Sequence, residues 1–185
     1  SYRSARAYTE GIKVIITGKP NVGKSSLLNK LTGRKKAIVT DIPGTTRDLI
    51  TDTITIEGIP IHLIDTAGIR EPQNAIEKEG INLVWESIAD ADVLMVMLDV
   101  SKPLTDEDRM IIEKNKSANI IALLNKIDLP RAWESTAAAD LFPGQAKILE
   151  ISAKTGTGLE DLKKAMIHLS VSDETQSIDG VMITN

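Results

Sequence analysis

The chain has no cysteine among its 185 residues, which excludes disulfides, thiolate nucleophiles and cysteine-held metals. That absence favours a reducing compartment, weakly, and a cytoplasmic location is the expectation. Aromatic residues are scarce: one Phe, two Tyr and two Trp leave no platform on which nucleic-acid bases could stack. No apolar run approaches the roughly 18 residues of a bilayer span, and no signal peptide is found, so no membrane partner is expected. Excess basic charge is missing too. The formal net charge of −4 gives no electrostatic footprint for a phosphate backbone, so a nucleic-acid partner would be gripped elsewhere in a larger protein. The trio Arg34-Lys35-Lys36 reads as a solvated loop. Neither His62 nor His168 has a carboxylate or cysteine pattern around it, and both read as surface or packing residues.

What is present suits one domain, because 42% apolar residues in a chain of this length can bury a full core. The domain is expected over residues 11–170. Residues 1–10, polar with helical spacing, and 171–185 read as linkers to preceding and following regions. Apolar runs predict strands at Lys13–Thr17, Leu49–Ile56, Ile59–Asp65, Val93–Asp99, Ile120–Asn125 and Ile148–Ser152, with Glu57-Gly58 as a tight turn. Amphipathic spacing predicts helices at Ser26–Thr32, Ile76–Ala89, Thr105–Lys116, Leu159–Leu169 and, weakly, Arg131–Asp140. Alternation of this kind implies a three-layer αβα fold around a six-stranded, mostly parallel sheet with one antiparallel strand. Ligands of such sheets sit at the carboxyl ends of the strands.

The most informative stretch is GKPNVGKSS, Gly18 to Ser26, between a strand and a helix. It satisfies G-x-x-x-x-G-K-[ST], a loop whose inward N–H groups and following helix dipole hold phosphates. Asn21, Val22, Gly23, Lys24, Ser25 and Ser26 are the expected phosphate contacts, with Lys24 adding charge and Ser25 ligating Mg²⁺. Asp65-Thr66-Ala67-Gly68 closes the third strand, where Asp65 can hold Mg²⁺ through water and the Gly68 N–H can reach a γ-phosphate. Asn125-Lys126-Ile127-Asp128 closes the fifth. A fixed carboxylate at Asp128 pairs with the N1–H and amine of guanine and is left unpaired by adenine; sites built this way discriminate by up to about 10⁴–10⁵. Ser152-Ala153-Lys154 follows the sixth strand and can offer an N–H to guanine O6. Between the first helix and the second strand lies the polar loop of Thr40, Asp41, Ile42, Pro43, Gly44, Thr45 and Thr46. There Thr46 would bind Mg²⁺ only when the γ-phosphate is present, although Pro43-Gly44 alone would explain a turn.

Together these elements resemble the Ras-like P-loop GTPase superfamily over nearly all of Lys13 to Leu169. Within it, PNVGKSSLLN, VTDIPGTTRD and DTAGIRE followed by IEKEGI resemble the G domain of the MnmE (TrmE) family of tRNA-modification GTPases. The Der family of ribosome-assembly GTPases shares several of these strings, but tends to follow DTAGI with basic residues where this chain has Arg70-Glu71-Pro72.

Many signalling GTPases place a Gln directly after DxxG to orient the attacking water. Here that position is Ile69, which cannot polarise water. The resemblance implies that Glu77 takes over, although its place also suits an ordinary first-turn acid favoured by the helix dipole. It further implies that Asn21, with Thr40, Ile42 and Thr45, holds K⁺, whose charge stands in for an arginine finger; Asn21 is equally accounted for as a left-handed turn residue. Other implications are GTP and GDP as ligands, a nucleotide-dependent homodimer through the switch loops, and wobble-uridine modification of tRNA with the flavoprotein MnmG through other domains. A Der-like factor and a slow nucleotide-gated interaction module are the rival readings.

Overall fold

A computed structural model of the chain describes residues 2–33, 52–66, 89–115, 119–142, 144 and 146–171. Among these, the elements run α1 (Tyr2–Glu10), β1 (Ile12–Thr17), α2 (Lys24–Thr32), β2 (Asp52–Ile56), β3 (Ile59–Asp65), β4 (Val93–Asp99), α3 (Asp106–Lys114), β5 (Ile120–Asn125), α4 (Thr136–Leu141), β6 (Lys147–Glu150) and α5 (Leu159–Val171). The strands form one sheet in the order β2-β3-β1-β4-β5-β6. Only β2 runs antiparallel to its neighbour.

Alternate residues of the central strands feed two separate cores. Val14 and Ile16 of β1 face Leu27 and Leu28 of α2 and Leu162 and Met166 of α5. Ile15, with Leu94, Val96 and Leu98 of β4, packs instead with Ile112, Ala138 and Phe142 from the helices of the other face. Every residue of β4 is buried, as expected of a central parallel strand covered on both sides. The predicted three-layer architecture is therefore present. Residues 2–10 form a helix, as their spacing indicated, and its Ala7 joins the first core. No helix among the described residues is long and apolar enough to cross a membrane.

Differences from the expected elements have local causes. The last strand stops at Glu150 rather than Ser152; the Ser152 N–H donates to Thr157 O and so leaves the ladder. The weak helix narrows to Thr136–Leu141, because the Trp133 indole turns to the carbonyls of Asp99 and Lys102, at 3.2 and 3.0 Å. Trp133 is thus anchored to the second core. Helix α3 starts one residue later than expected because Thr105 is its N-cap, in a capping box with Asp108. The helix expected at Ile76–Ala89 and the start of the second strand, Leu49 to Thr51, lie outside the described residues, apart from Ala89.

The β2–β3 connection is the expected two-residue turn. Both central residues have positive φ, 52° at Glu57 and 79° at Gly58, the geometry that favours Asn-Gly. Glu57 is the misfit, since a left-handed conformation costs most residues about 1–2 kcal/mol. Glu57→Asn is expected to raise stability by roughly 0.5–1 kcal/mol in urea unfolding; an unchanged midpoint would refute strain at this turn.

Candidate functional site

The loops after β1, β3, β4, β5 and β6 leave the same edge of the sheet. Strand order changes direction at β1, between β3 and β4, and the crevice at such a switch point is where open α/β sheets bind ligands. The loop from Gly18 to Gly23 sits there. Gly23, at the start of α2, has φ 112° and provides no side-chain cap, so the first amides of the helix stay available to an anion. A Cβ on Gly23 would run into the Asn125 amide, and one on Gly18 would meet Met97 O at 2.6 Å. The loop must be glycine at these points to lie this low on the sheet.

Lys24 is buried. Two of the three donors of its ammonium go to Gly18 O and Lys19 O, both at 2.6 Å. Burial lowers its pKa, against the opposing pull of Asp65 and Glu107. A desolvated cation with a donor to spare is matched to a phosphate oxygen. Ser25 and Ser26 are exposed in the first turn of the helix. Asp65 ends β3, paired in register with Ile16, and the neighbouring Thr66 hydroxyl donates to Ile16 O at 3.0 Å. No cluster of three or more His, Asp or Glu able to hold a metal exists among the described residues. The donors here, a hydroxyl and one carboxylate, fit a Mg²⁺ that takes its other ligands from phosphate and water.

The segments after β5 and β6 are tied to this loop through Asn125. Its amide nitrogen donates to Val22 O at 2.7 Å, and its oxygen accepts the Ala153 N–H at 2.9 Å. Lys126, in a left-handed conformation at φ 71°, donates to Asn21 O at 2.9 Å and pairs with Asp99 at 2.6 Å. Asp128 is exposed, and one of its oxygens accepts the Ser152 hydroxyl at 2.7 Å. That bond fixes the carboxylate, and its other oxygen accepts no hydrogen bond from the described residues. Asn21 is exposed, at φ 64°. Lys154 is exposed beside the same loops.

Asn21 to Ser26, Asp65, Thr66, Asn125, Lys126, Asp128 and Ser152 to Lys154 thus converge on one edge. Residues 40 to 46, Ala67, Gly68 and Glu77 lie outside the described residues. One participant was not anticipated. Asp99 is buried, accepts the Ser101 N–H and hydroxyl at 2.9 and 2.6 Å, and holds Lys126. The available signal was an acid closing the wholly apolar strand VLMVML. Desolvation opposes ionisation of Asp99, but the hydrogen bonds from Lys126 and Ser101 outweigh it and its pKa is lowered. A depressed carboxylate contributes stability that is present above its unfolded value, about 3.9, and is lost as pH falls through the folded one. Acid unfolding of Asp99→Asn should therefore show a shallower loss of stability below about pH 4 than the wild type; parallel curves would contradict the pairing.

Comparison with known proteins agrees with this geometry. A family model described as 50S ribosome-binding GTPase matches residues 13–126. The tRNA modification GTPase MnmE of Acetivibrio thermocellus is 43% identical over 185 residues, 100% of this chain and 40% of that protein. MnmE of Syntrophomonas wolfei is 48% identical over 182 residues, 98% of this chain and 39% of that protein. The chain therefore spans about 40% of the length of these curated relatives. Among solved structures, Aquifex aeolicus Era bound to GDP·AlF4⁻ superposes with TM-score 0.64 at 30% identity, covering 85% of this chain and 56% of that one. The G domain of the Thermotoga maritima FeoB iron transporter gives 0.65 at 27%, covering 86% and 98%. With the matched stretch running from β1 to Lys126, the chain belongs to the GTPase family that this model describes, and over its whole length it is similar to the tRNA modification GTPases MnmE.

Proposed function

We propose that this chain is the G domain of a tRNA-modification GTPase, hydrolysing GTP by attack of water on the γ-phosphate. GTPase activity itself follows from family membership. The observation that carries the finer reading is the pairing of a phosphate loop containing Asn21 with similarity to MnmE along the full chain. In this reading the Gly18–Ser26 loop and Lys24 bind the phosphates. Asp128, steadied by Ser152, reads the guanine N1–H and amine, and an amide of residues 152–154 faces O6.

Ser25, Thr46 and Asp65 are the proposed holders of Mg²⁺, which would balance charge on the β- and γ-phosphates. Asn21, Thr40, Ile42 and Thr45 are the proposed holders of K⁺, which would offset charge developing in the transition state. Glu77 orients the attacking water, the task that Ile69 cannot perform. Residues 40–46 and Gly68 sense the γ-phosphate and present a surface on which two G domains pair. Residues 1–10 and 171–185 lead into other parts of a cytoplasmic protein. Those parts would act on tRNA with the flavoprotein MnmG, in forming the 5-carboxymethylaminomethyl group of wobble uridine.

Steady-state hydrolysis in KCl should exceed that in NaCl by about tenfold or more, a fraction of what a full charge-stabilising group supplies. Equal rates would refute the K⁺ assignment. Glu77→Ala should lower kcat by about 10²-fold or more with GTP affinity preserved; full activity would refute its role. Asp128→Asn should shift preference from guanine towards xanthine nucleotides, whose C2 carbonyl an amide can serve as donor; unchanged selectivity in nucleotide competition would refute the base-reading assignment.

A further inference from the structure

Lys19 occupies one of the positions that G-x-x-x-x-G-K-[ST] leaves free, so the motif assigns it no task. Its side chain is only 18% exposed, and its ammonium pairs with Asp108 at 2.6 Å and donates to the Thr105 hydroxyl at 2.9 Å. Asp108 is itself 2% exposed. It accepts the Thr105 N–H at 2.9 Å and the Thr105 hydroxyl hydrogen at 2.8 Å, while that hydroxyl also accepts the Asp108 N–H at 3.5 Å. The hydroxyl's one hydrogen and both lone pairs are then in use. Helix α3 needs only Thr105 and Asp108 for this cap. The lysine is additional, and it comes from the phosphate loop.

The backbone of the same residue has a second task. Lys19 O and Gly18 O are the two carbonyls that seat the Lys24 ammonium. Fastening the Lys19 side chain to α3 fixes those carbonyls, and the contact with Asp108 neutralises a second cation that would otherwise compete for the phosphates beside Lys24. We propose that Lys19 is a positioning residue for nucleotide binding, acting by clamping the start of the phosphate loop to Asp108 and Thr105. This rests on the reading of the loop as the guanine-nucleotide site.

The test is GDP dissociation measured with a fluorescent analogue, alongside thermal unfolding of each nucleotide-free protein. Lys19→Met should speed dissociation about tenfold, and Lys19→Arg should keep it within about threefold of wild type, since an arginine can still reach the carboxylate. Asp108→Asn, whose amide oxygen can still accept the Thr105 N–H, should accelerate release like Lys19→Met. The double variant should be no faster than either single one, because the two substitutions remove one interaction. Dissociation unchanged while the unfolding temperature falls would make the pair structural only and overturn the inference, as would independent, multiplying effects. Wild-type protein that binds no guanine nucleotide would overturn the site reading, and the inference with it.

Discussion

The buried amide of Asn125 holds the site together. Strand β5 delivers it to the point where the phosphate loop and the segment after β6 approach each other, and it satisfies one group of each: Val22 O and the Ala153 N–H. Asn125 is 2% exposed, so removing its amide would leave buried polar groups without partners, each costing about 1–3 kcal/mol. Gly23 must be glycine for the same reason, since a side chain there would occupy the place of that amide. In the proposed function, phosphate and base recognition are thereby set at a constant distance. A nucleotide spanning both meets a preformed ruler rather than two independent loops.

Charge is arranged around that ruler in pairs. Lys126 is balanced by Asp99 and Lys19 by Asp108, whereas Lys24 is seated on neutral carbonyls and has its pKa lowered by burial. Of these three lysines, Lys24 therefore has the most to gain from an arriving phosphate. The left-handed backbones at Asn21 and Lys126 lie at the two ends of one hydrogen bond. Two of the three left-handed non-glycine backbones among the described residues thus lie where the two loops must touch, the third being Glu57 in the β2–β3 turn.

Much of this is legible in the amino-acid sequence. The strands β4 and β5 carry unbroken apolar runs closed by a polar residue, β3 carries an apolar run interrupted by His62, and the limits of all three matched the expected ones. The loop sequences at their ends carried the chemistry. Asp99 and Lys19 were not readable, for a physical reason: each acts through a partner distant in sequence. Asp99 reaches Lys126 because the parallel register places it opposite Asn125, and no spacing along the chain announces that. The weak helix expected at Arg131–Asp140 is shorter because the Trp133 indole N–H finds the carbonyls of Asp99 and Lys102, a tertiary preference that helical periodicity does not contain. The roles given to Thr46 and Glu77 rest on the sequence and on kinship alone, since neither lies among the described residues.

In the proposed function one fixed edge reads guanine through Asp128 while the phosphate loop, held to it by Asn125, grips the other end. Competition of unlabelled nucleoside diphosphates against a fluorescent GDP analogue tests this most directly. GDP should displace the probe best, IDP, which lacks the exocyclic amine, should be weaker by about tenfold or more, and ADP should fail at concentrations about a thousandfold above that needed for GDP. Displacement by ADP at concentrations similar to GDP would contradict guanine reading by Asp128, because the phosphate loop would then be binding without the base-reading edge.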